Sequence, residues 1–383
     1  MKKIIILGAG IYQVPLIKQA KSMGLYVIVI SIKGNYPGFE LADKCYYVDT
    51  KNYEEILKIA LREKIDGICT TGTDVAVKTI GYVCEKMNLC GLSMSSANKA
   101  TDKFLMKEAF KQYGVRTSDF IKAKSAEEAI EFLNTAKRAI VLKPVDSSGS
   151  RGVTKVQTAE EIINKFDEIL KYSGKDYIIA EEFVDGNEIG IDLFVYNNKI
   201  VLNAVHGKMT YHNGYSDVPI GHYFPFEASN ELYEDIENEI GKVVQAMGFN
   251  NCAVNMDVLI SDEKAYIIEA SGRAGATCIP ELISKFYGFN YYEKIIKTAI
   301  GCDVDFEYST LSPCAAKLLT SDKSGIIKKQ EYIEKEGNTA EVSFDYKVGD
   351  FINKFKVGPD RIGHIIVNGR NFDVESDIIF EVE

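Results

Sequence analysis

Hydrophobic and polar positions divide the chain into short apolar runs and longer segments with apolar residues on one face. Lys3–Leu7 and Tyr26–Ile30 are near-continuous apolar runs. Between them Ile11–Met23 has helical spacing, so the opening predicts a βαβ unit with a parallel sheet. Lys44–Val48 and Gly67–Thr70 read as further strands alternating with helices at Tyr53–Glu63 and Val75–Met87. The result is a doubly wound domain ending near Leu92. A helix over Asn98–Tyr113 closes on Gly114, and Ser118–Ala123, Ser125–Asn134 and Ala139–Lys143 follow as strand, helix and strand. Val153–Val156, Thr158–Tyr172 and Asp176–Glu181 continue as strand, helix and strand. Val254–Ile260 and Ala265–Ala270 read as strands, and His206–Pro225 as a Gly-, Tyr- and His-rich loop between two strand-like runs. After residue 302 short strands at Ala315–Leu319, Ala340–Phe344 and Arg361–Val367 alternate with glycine-containing turns.

Composition narrows this picture. The chain has 383 residues, 46% hydrophobic and 26% charged, as in ordinary globular proteins, with room for two or three domains. The formal charge of −10 argues against nonspecific nucleic-acid binding. No apolar run is long enough to span a membrane, and the N-terminus reads as a first strand rather than a signal peptide. The eight cysteines form no CxxC pair and sit mostly in apolar segments, which fits reduced thiols in a cytoplasmic protein.

Several stretches carry candidate chemistry. The hairpin Ala139–Val156 places Lys143 beside a loop of small residues, Ser147-Ser148-Gly149-Ser150-Arg151-Gly152. Such a tip suits phosphate oxygens, because glycines permit close backbone approach and a lysine adds point charge. An ordinary Gly/Ser hairpin has the same composition. Gly8-x-Gly10 after the first strand invites a dinucleotide reading, but Gln13 stands at the third glycine and Ser31 where a ribose acid belongs. Thr70–Asp74 lies at the carboxyl end of a strand, where open sheets bind ligands; turn and N-cap chemistry accounts for the same residues. Asp257 and Glu269 are carboxylates set in apolar strands, an arrangement that needs a reason. His206, His212 and His222 lack zinc-ligand spacing.

In order along the chain stand Asp102-Lys103, Lys143-Pro144 with its loop, Glu181–Glu188 (EEFVDGNE), and NMDVL…YIIEASGR. This ordered set resembles the ATP-grasp superfamily, carboxylate–amine ligase branch, over roughly residues 1 to 300. The resemblance implies an α/β fold with a doubly wound N-terminal domain (1–95), a lid with the phosphate loop (96–185), a core of antiparallel sheet with helices (186–301) and a small β-rich tail (302–383). It also implies that Lys103 and Lys143 hold nucleotide phosphates under a loop including Ser148, Gly149, Ser150 and Gly152. Glu181 and Val184 would meet adenine through their backbones, and Glu188 would bind the ribose. Asp257 and Glu269 would hold Mg²⁺ (or Mn²⁺), with Ser271 where the family has Asn, which leaves a second metal's geometry open. Arg273 would hold the acyl substrate; a surface ion pair is its other reading. His222 resembles a His in the Gly-His-x-x-Pro stretch of amino-acid ligases and is a substrate candidate, with a structural role as the alternative.

The function so implied is an ATP- and Mg²⁺-dependent ligase joining a carboxylate to an amine (an amino acid or small peptide) through an acylphosphate, giving ADP and phosphate. Small-molecule carboxylate and amine partners are expected, with no nucleic acid and no membrane; a homodimer is compatible with the resemblance. The phrase ADKCYYVDTKNYEEI resembles the carboxylase-like branch of purine biosynthesis, which is one alternative. A non-catalytic nucleotide-binding regulator is another.

Overall fold

A computed structural model describes every residue except 148, 150, 213–216, 309–310 and 336–339, and the side chains of His212 and Asp217. The expected phosphate-loop residues Ser148 and Ser150 therefore lie outside the described residues. The first domain contains β1 (Lys3–Leu7), α1 (Val14–Ser22), β2 (Tyr26–Ser31), α2 (Gly38–Leu41), β3 (Lys44–Tyr47), α3 (Tyr53–Glu63), β4 (Gly67–Cys69) and α4 (Val77–Met87). Its sheet has the order β3-β2-β1-β4 and is parallel throughout. Burial on both faces explains the continuous apolar runs. Ile4 and Ile6 join one core with α1, while Ile5 and Leu7 join another with α3 and α4.

The segment after the first strand turns for longer than its periodicity suggests, and α1 begins only at Val14. Gln13 precedes it and folds back: its Oε1 accepts from the Gly10 N–H at 3.0 Å, and its Nε2 donates to the Thr71 carbonyl at 2.6 Å. Gly8 has φ +96°, and a Cβ there would stand 2.8 Å from Gln13 Oε1. The glycine turn thus cradles its own glutamine.

Next come α5 (Met94–Ala100), α6 (Lys103–Tyr113), β5 (Phe120–Ala123), α7 (Ala126–Ala136), β6 (Ile140–Pro144), β7 (Thr154–Val156), α8 (Ala159–Leu170) and β8 (Ile178–Glu182). The single helix expected over Asn98–Tyr113 is in fact two. Asp102 breaks it by accepting from the backbone N–H groups of Phe104 and Leu105, which makes it the N-cap of α6. Strands β5-β8-β6-β7 form a small antiparallel sheet with α7 and α8 on one face. Helices α5 and α6 contribute Ala97, Met106 and Phe110 to the core of the larger sheet instead.

That larger sheet begins with β9 (Asn187–Tyr196), β10 (Lys199–His212) and β11 (Asp217–Phe224), then α9 (Asn230–Met247), β12 (Cys252–Ser261) and β13 (Lys264–Ser271). Helices α10 (Ile279–Tyr287) and α11 (Tyr291–Ala299) lead to β14 (Cys314–Leu319), β15 (Gly325–Tyr332), β16 (Glu341–Phe344), β17 (Phe351–Ile352), β18 (Gly363–Asn368) and β19 (Ile378–Val382). The stretch 206–225, expected to be a loop, is largely the β10–β11 hairpin. Its glycines admit neighbours: a Cβ on Gly207 would fall 1.9 Å from the Tyr223 ring. The eight-stranded order β13-β12-β9-β10-β11-β14-β18-β16 carries the sheet into the tail, which is a continuation of the core sheet as well as β-rich. Strands β17-β15-β19 form a separate three-stranded sheet.

The two faces of this sheet differ. Ile189, Ile191, Leu193, Val254, Met256 and Val258 point toward α9. On the opposite face Phe194, Ala204 and Ala253 pack with α1, α10 and α11. Farther along that face the residues become polar: Glu188 and Asp192 on β9, His206 and Lys208 on β10, Asn255 and Asp257 on β12. A polarity boundary therefore runs across three strands at one register. All eight cysteines are free. Among the described residues no helix is long and apolar enough to cross a membrane.

Candidate active site

The polar half of that face holds the paired acids. Asp257 and Glu269 are register partners on β12 and β13, and Asn255 lies opposite Ser271. Period-two alternation sends these four side chains to one face while Met256 and Ala270 enter the core. Both carboxylates face an ammonium group. Lys103, the first residue of α6, pairs with Glu269 at 3.1 Å. Lys208 pairs with Asp257 and with Glu188, the latter at 2.6 Å. The Lys208 side chain is only 4% exposed. Burial alone would raise the Asp257 pKa, but the Lys208 ammonium outweighs it and holds the carboxyl below its ordinary range. Glu188 goes the other way, since burial and the neighbouring Asp257 charge together exceed the pull of Lys208.

Lys103 also ties the two sheets together. Its Nζ donates to the Ser147 carbonyl at 2.8 Å, and its backbone N–H donates to Val145 at 2.8 Å. The base of the small-residue hairpin is thus fastened to the helix terminus whose lysine reaches Glu269. On the hairpin itself Gly149 (φ +66°) and Gly152 (φ +77°) occupy left-handed backbone that glycine tolerates best.

A second cluster lies under the hairpin strand. Lys143 of β6 and Lys107 of α6 both pair with Glu181 Oε2, at 3.0 and 2.9 Å, and Ser118 Oγ donates to the same oxygen at 2.9 Å. Glu181 Oε1 is buried without a hydrogen-bond partner. Burial would raise this carboxyl, but Lys107 and Lys143 outweigh it and hold it at about 2. The Glu181 side chain is therefore committed to a buried ion cluster. Val184 follows two residues after β8 ends.

Arg273 sits just past β13 with a nearly buried side chain (10% exposed), so it is an ion pair but not a surface one. Its Nη2 pairs with Asp74 at 2.7 Å, and its Nη1 donates to Asn255 Oδ1 at 2.8 Å. Its Nε is buried without a hydrogen-bond partner, as is the nearby Ser271 Oγ. The loop at Thr70–Asp74 docks on the segment carrying Arg273, through a bridge between Thr71 and Ala274 and a Gly72 N–H to Ala274 carbonyl bond of 3.1 Å.

His222 does not reach the open face. It is 2% exposed, opposite Lys208 in register, with its ring 4.8 Å from that of His206 in an edge-on contact. Burial, then the neighbouring His206, pushes its pKa well down.

Sequence reasoning brought Lys103, Lys143, Glu188, Asp257, Glu269, Ser271 and Arg273 into view. It missed Lys107, Lys208, Asp192 and Asn255. Lys208 lies in a Gly-, Tyr- and His-rich stretch whose composition suggests a loop although it forms β10. Asn255 and Asp192 were legible as polar positions at period two from Asp257 and Glu188.

A small antiparallel sheet bearing a lysine-flanked hairpin, set over a larger sheet bearing registered acids, defines the ATP-grasp class of fold. The chain belongs to the ATP-grasp family. Residues 136–281 match the family's ATP-grasp domain model. A phosphoribosylglycinamide synthetase of known structure from Anaerococcus prevotii is 32% identical with a TM-score of 0.84, and the likeness covers 100% of both chains. Alanine–anticapsin ligase of Bacillus subtilis is 26% identical over 310 residues, 72% of this chain and 65% of that protein. The carbamoyl phosphate synthase large chain of Thermotoga petrophila is 28% identical over 272 residues, 69% of this chain. The matched part spans 24% of that large chain and just under two thirds of the alanine–anticapsin ligase.

Proposed function

We propose that the protein is an ATP- and Mg²⁺-dependent ligase that activates a small carboxylate as an acylphosphate and passes the acyl group to an amine, releasing ADP and phosphate. The observation that carries this reading is Lys103, which joins the base of the hairpin to Glu269, the register partner of Asp257. Phosphate-holding and acid-bearing elements thereby converge on one helix terminus. The N-terminal alternative, a dinucleotide-dependent oxidoreductase, has its glycine turn filled by Gln13.

In this reading Lys143 and Lys103 neutralise phosphate charge, and the loop 147–152 covers the transferring group. Glu181 and Val184 contribute backbone groups to the adenine edge, and Glu188 accepts from the ribose hydroxyls. Asp257, Glu269 and Ser271 offer hard oxygen donors that suit Mg²⁺ or Mn²⁺. Each of the two acids already holds a cation, and Ser271 Oγ is buried without a partner. Bound there, the metal would neutralise charge on the phosphates. Arg273 is held through Nη1 and Nη2, while its unpartnered Nε would donate to an acyl oxygen, for which a permanently charged guanidinium is suited. His222, the buried register partner of Lys208 on the same face, would influence the substrate through Lys208.

The test is product analysis with ATP against a panel of amino acids, small peptides and small carboxylates. ADP and phosphate, formed only when carboxylate and amine are both present, support the ligase. AMP and pyrophosphate would show an adenylating enzyme, and tight ATP binding without stimulated hydrolysis would show a regulator. A second reading, favoured by the full-length likeness to a phosphoribosylglycinamide synthetase, makes glycine the carboxylate and a phosphoribosyl-bearing amine the acceptor. Including both compounds in the panel separates the two.

A further inference from the structure

We propose that Asp192 is a positioning residue that sets the direction of the Arg273 guanidinium, acting through Asn255; the catalytic consequence rests on the acyl-holding role assigned above to Arg273. Asp192 is fully buried. A carboxylate is not retained at such a place without partners, and this one has three. Oδ2 accepts from Asn255 Nδ2 at 2.9 Å and lies 3.3 Å from His206 Nε2, and Oδ1 accepts from the Gly275 N–H at 2.9 Å. One carboxylate therefore holds both the Asn255 side chain and the backbone of the turn that carries Arg273.

The chemistry of the three groups leaves a single arrangement. A carboxylate only accepts, a guanidinium only donates, and an amide does each at opposite ends. Placed between Asp192 and Arg273, Asn255 must turn Nδ2 to the first and Oδ1 to the second. It does so, with Oδ1 accepting from Arg273 Nη1 at 2.8 Å. The charge on Asp192 thus chooses the orientation of Asn255, and that orientation supplies one of the two anchors of the guanidinium. Asp74, from the N-terminal domain, supplies the other on Nη2. Anchors on the two terminal nitrogens, with Nη1 also donating to the Ala274 carbonyl at 3.3 Å, fix the plane, and Nε is left buried without a partner. Gly275 has no room for a side chain: a Cβ there would stand 2.5 Å from Ile279 Cδ1, and it would also crowd Asn255 Nδ2 at 3.1 Å and Asp192 Oδ2 at 3.2 Å.

Polarity reversal tests the chain of bonds. In D192N the new amide must keep its oxygen for the Gly275 N–H, so its NH₂ faces the NH₂ of Asn255. Relieving that clash turns Asn255 and sets a donor against the guanidinium. In D192N/N255D the amide at position 192 donates to the carboxylate at position 255. The second oxygen of that carboxylate accepts from Arg273, and the arrangement is restored with the first link reversed, the other N–H of the amide facing His206 Nε2 in its acceptor tautomer. Turnover should fall about 10- to 100-fold in D192N, the cost of roughly an ångström of misplacement, with KM for ATP within about twofold of wild type. The double variant should return to within about threefold of wild type. Crystal structures of wild type, D192N and the double variant should show the guanidinium displaced in the single variant and returned in the double. If D192N does not fold, N255D breaks the same link from the other side, and its loss should be recovered by adding D192N. Full turnover in D192N, an unmoved guanidinium, or equal loss in single and double variants would overturn the proposal. If the wild type shows no carboxylate-stimulated phosphate release, the ligase reading fails, while the guanidinium positions still decide the role of Asp192.

Discussion

Two glycine-containing loops follow apolar strands in this protein, and they meet opposite fates. The turn Gly8–Gly10 closes on itself, because Gln13 uses both ends of its amide on the Gly10 N–H and the Thr71 carbonyl. The hairpin of β6 and β7 has lysines at its base, Lys143 on the strand and Lys103 holding the Ser147 carbonyl. The first loop spends its polar capacity on structure; the second brings positive charge to a face with registered acids. Glycine content alone does not make a phosphate site. What distinguishes the two is which side chains the surrounding elements deliver.

The comparison can be broken most forcefully at Glu181, beneath the hairpin. Glu181→Gln removes the one anion shared by Lys107 and Lys143, leaving two buried ammonium groups facing each other. The expected loss is about 3–5 kcal/mol in urea unfolding, against little change for a surface Glu→Gln. The acid dependence has a definite sign. With the folded carboxyl at about 2 and its ordinary value at 4.5, the ion cluster adds stability above about pH 4.5. That contribution is lost as pH falls from 4.5 toward 2, and an acid unfolding curve of Glu181→Gln should lack it.

Lys143→Ala leaves Glu181 paired with Lys107, so the fold should survive while phosphate charge loses its neutralising group. Steady-state phosphate release should drop about 100-fold, equivalent to roughly 2.7 kcal/mol of transition-state stabilisation. Unchanged turnover would remove the hairpin from the site. Glu188→Ala should act more mildly, raising KM for ATP about tenfold with kcat little changed, since ribose contacts serve ground and transition states alike. A matching fall in kcat would mean that Glu188 acts through Lys208 and Asp257.

The smallest effect belongs to the first loop. Gln13→Ala empties the glycine turn and should cost about 1–2 kcal/mol in stability, with KM for ATP unchanged and no binding of NAD(H) by calorimetry. A tenfold rise in KM for ATP would show that the first loop belongs to the nucleotide site after all.

Local pattern determined much of this protein. Strands such as Lys3–Leu7 and helices such as Tyr53–Glu63 were legible at their observed ends, because buried parallel strands and one-faced helices leave strong periodic signals. The acids Asp257 and Glu269 stood out because carboxylates are costly in apolar strands. Tertiary structure decided the rest. Asp102 caps α6 just after α5 has ended, and α6 then holds Lys103 against Val145, Ser147 and Glu269. The β10–β11 hairpin runs through a Gly-, Tyr- and His-rich stretch because neighbouring strands accept its backbone and its glycines admit large rings. Lys208 and Asp192 gained partners from other strands, so a local window could mark Asp192 as a polar position but could not show what either residue pairs with. Whether a polar side chain sits in a core or in a site depends on what faces it, and that is set by register across the sheet rather than by its neighbours along the chain.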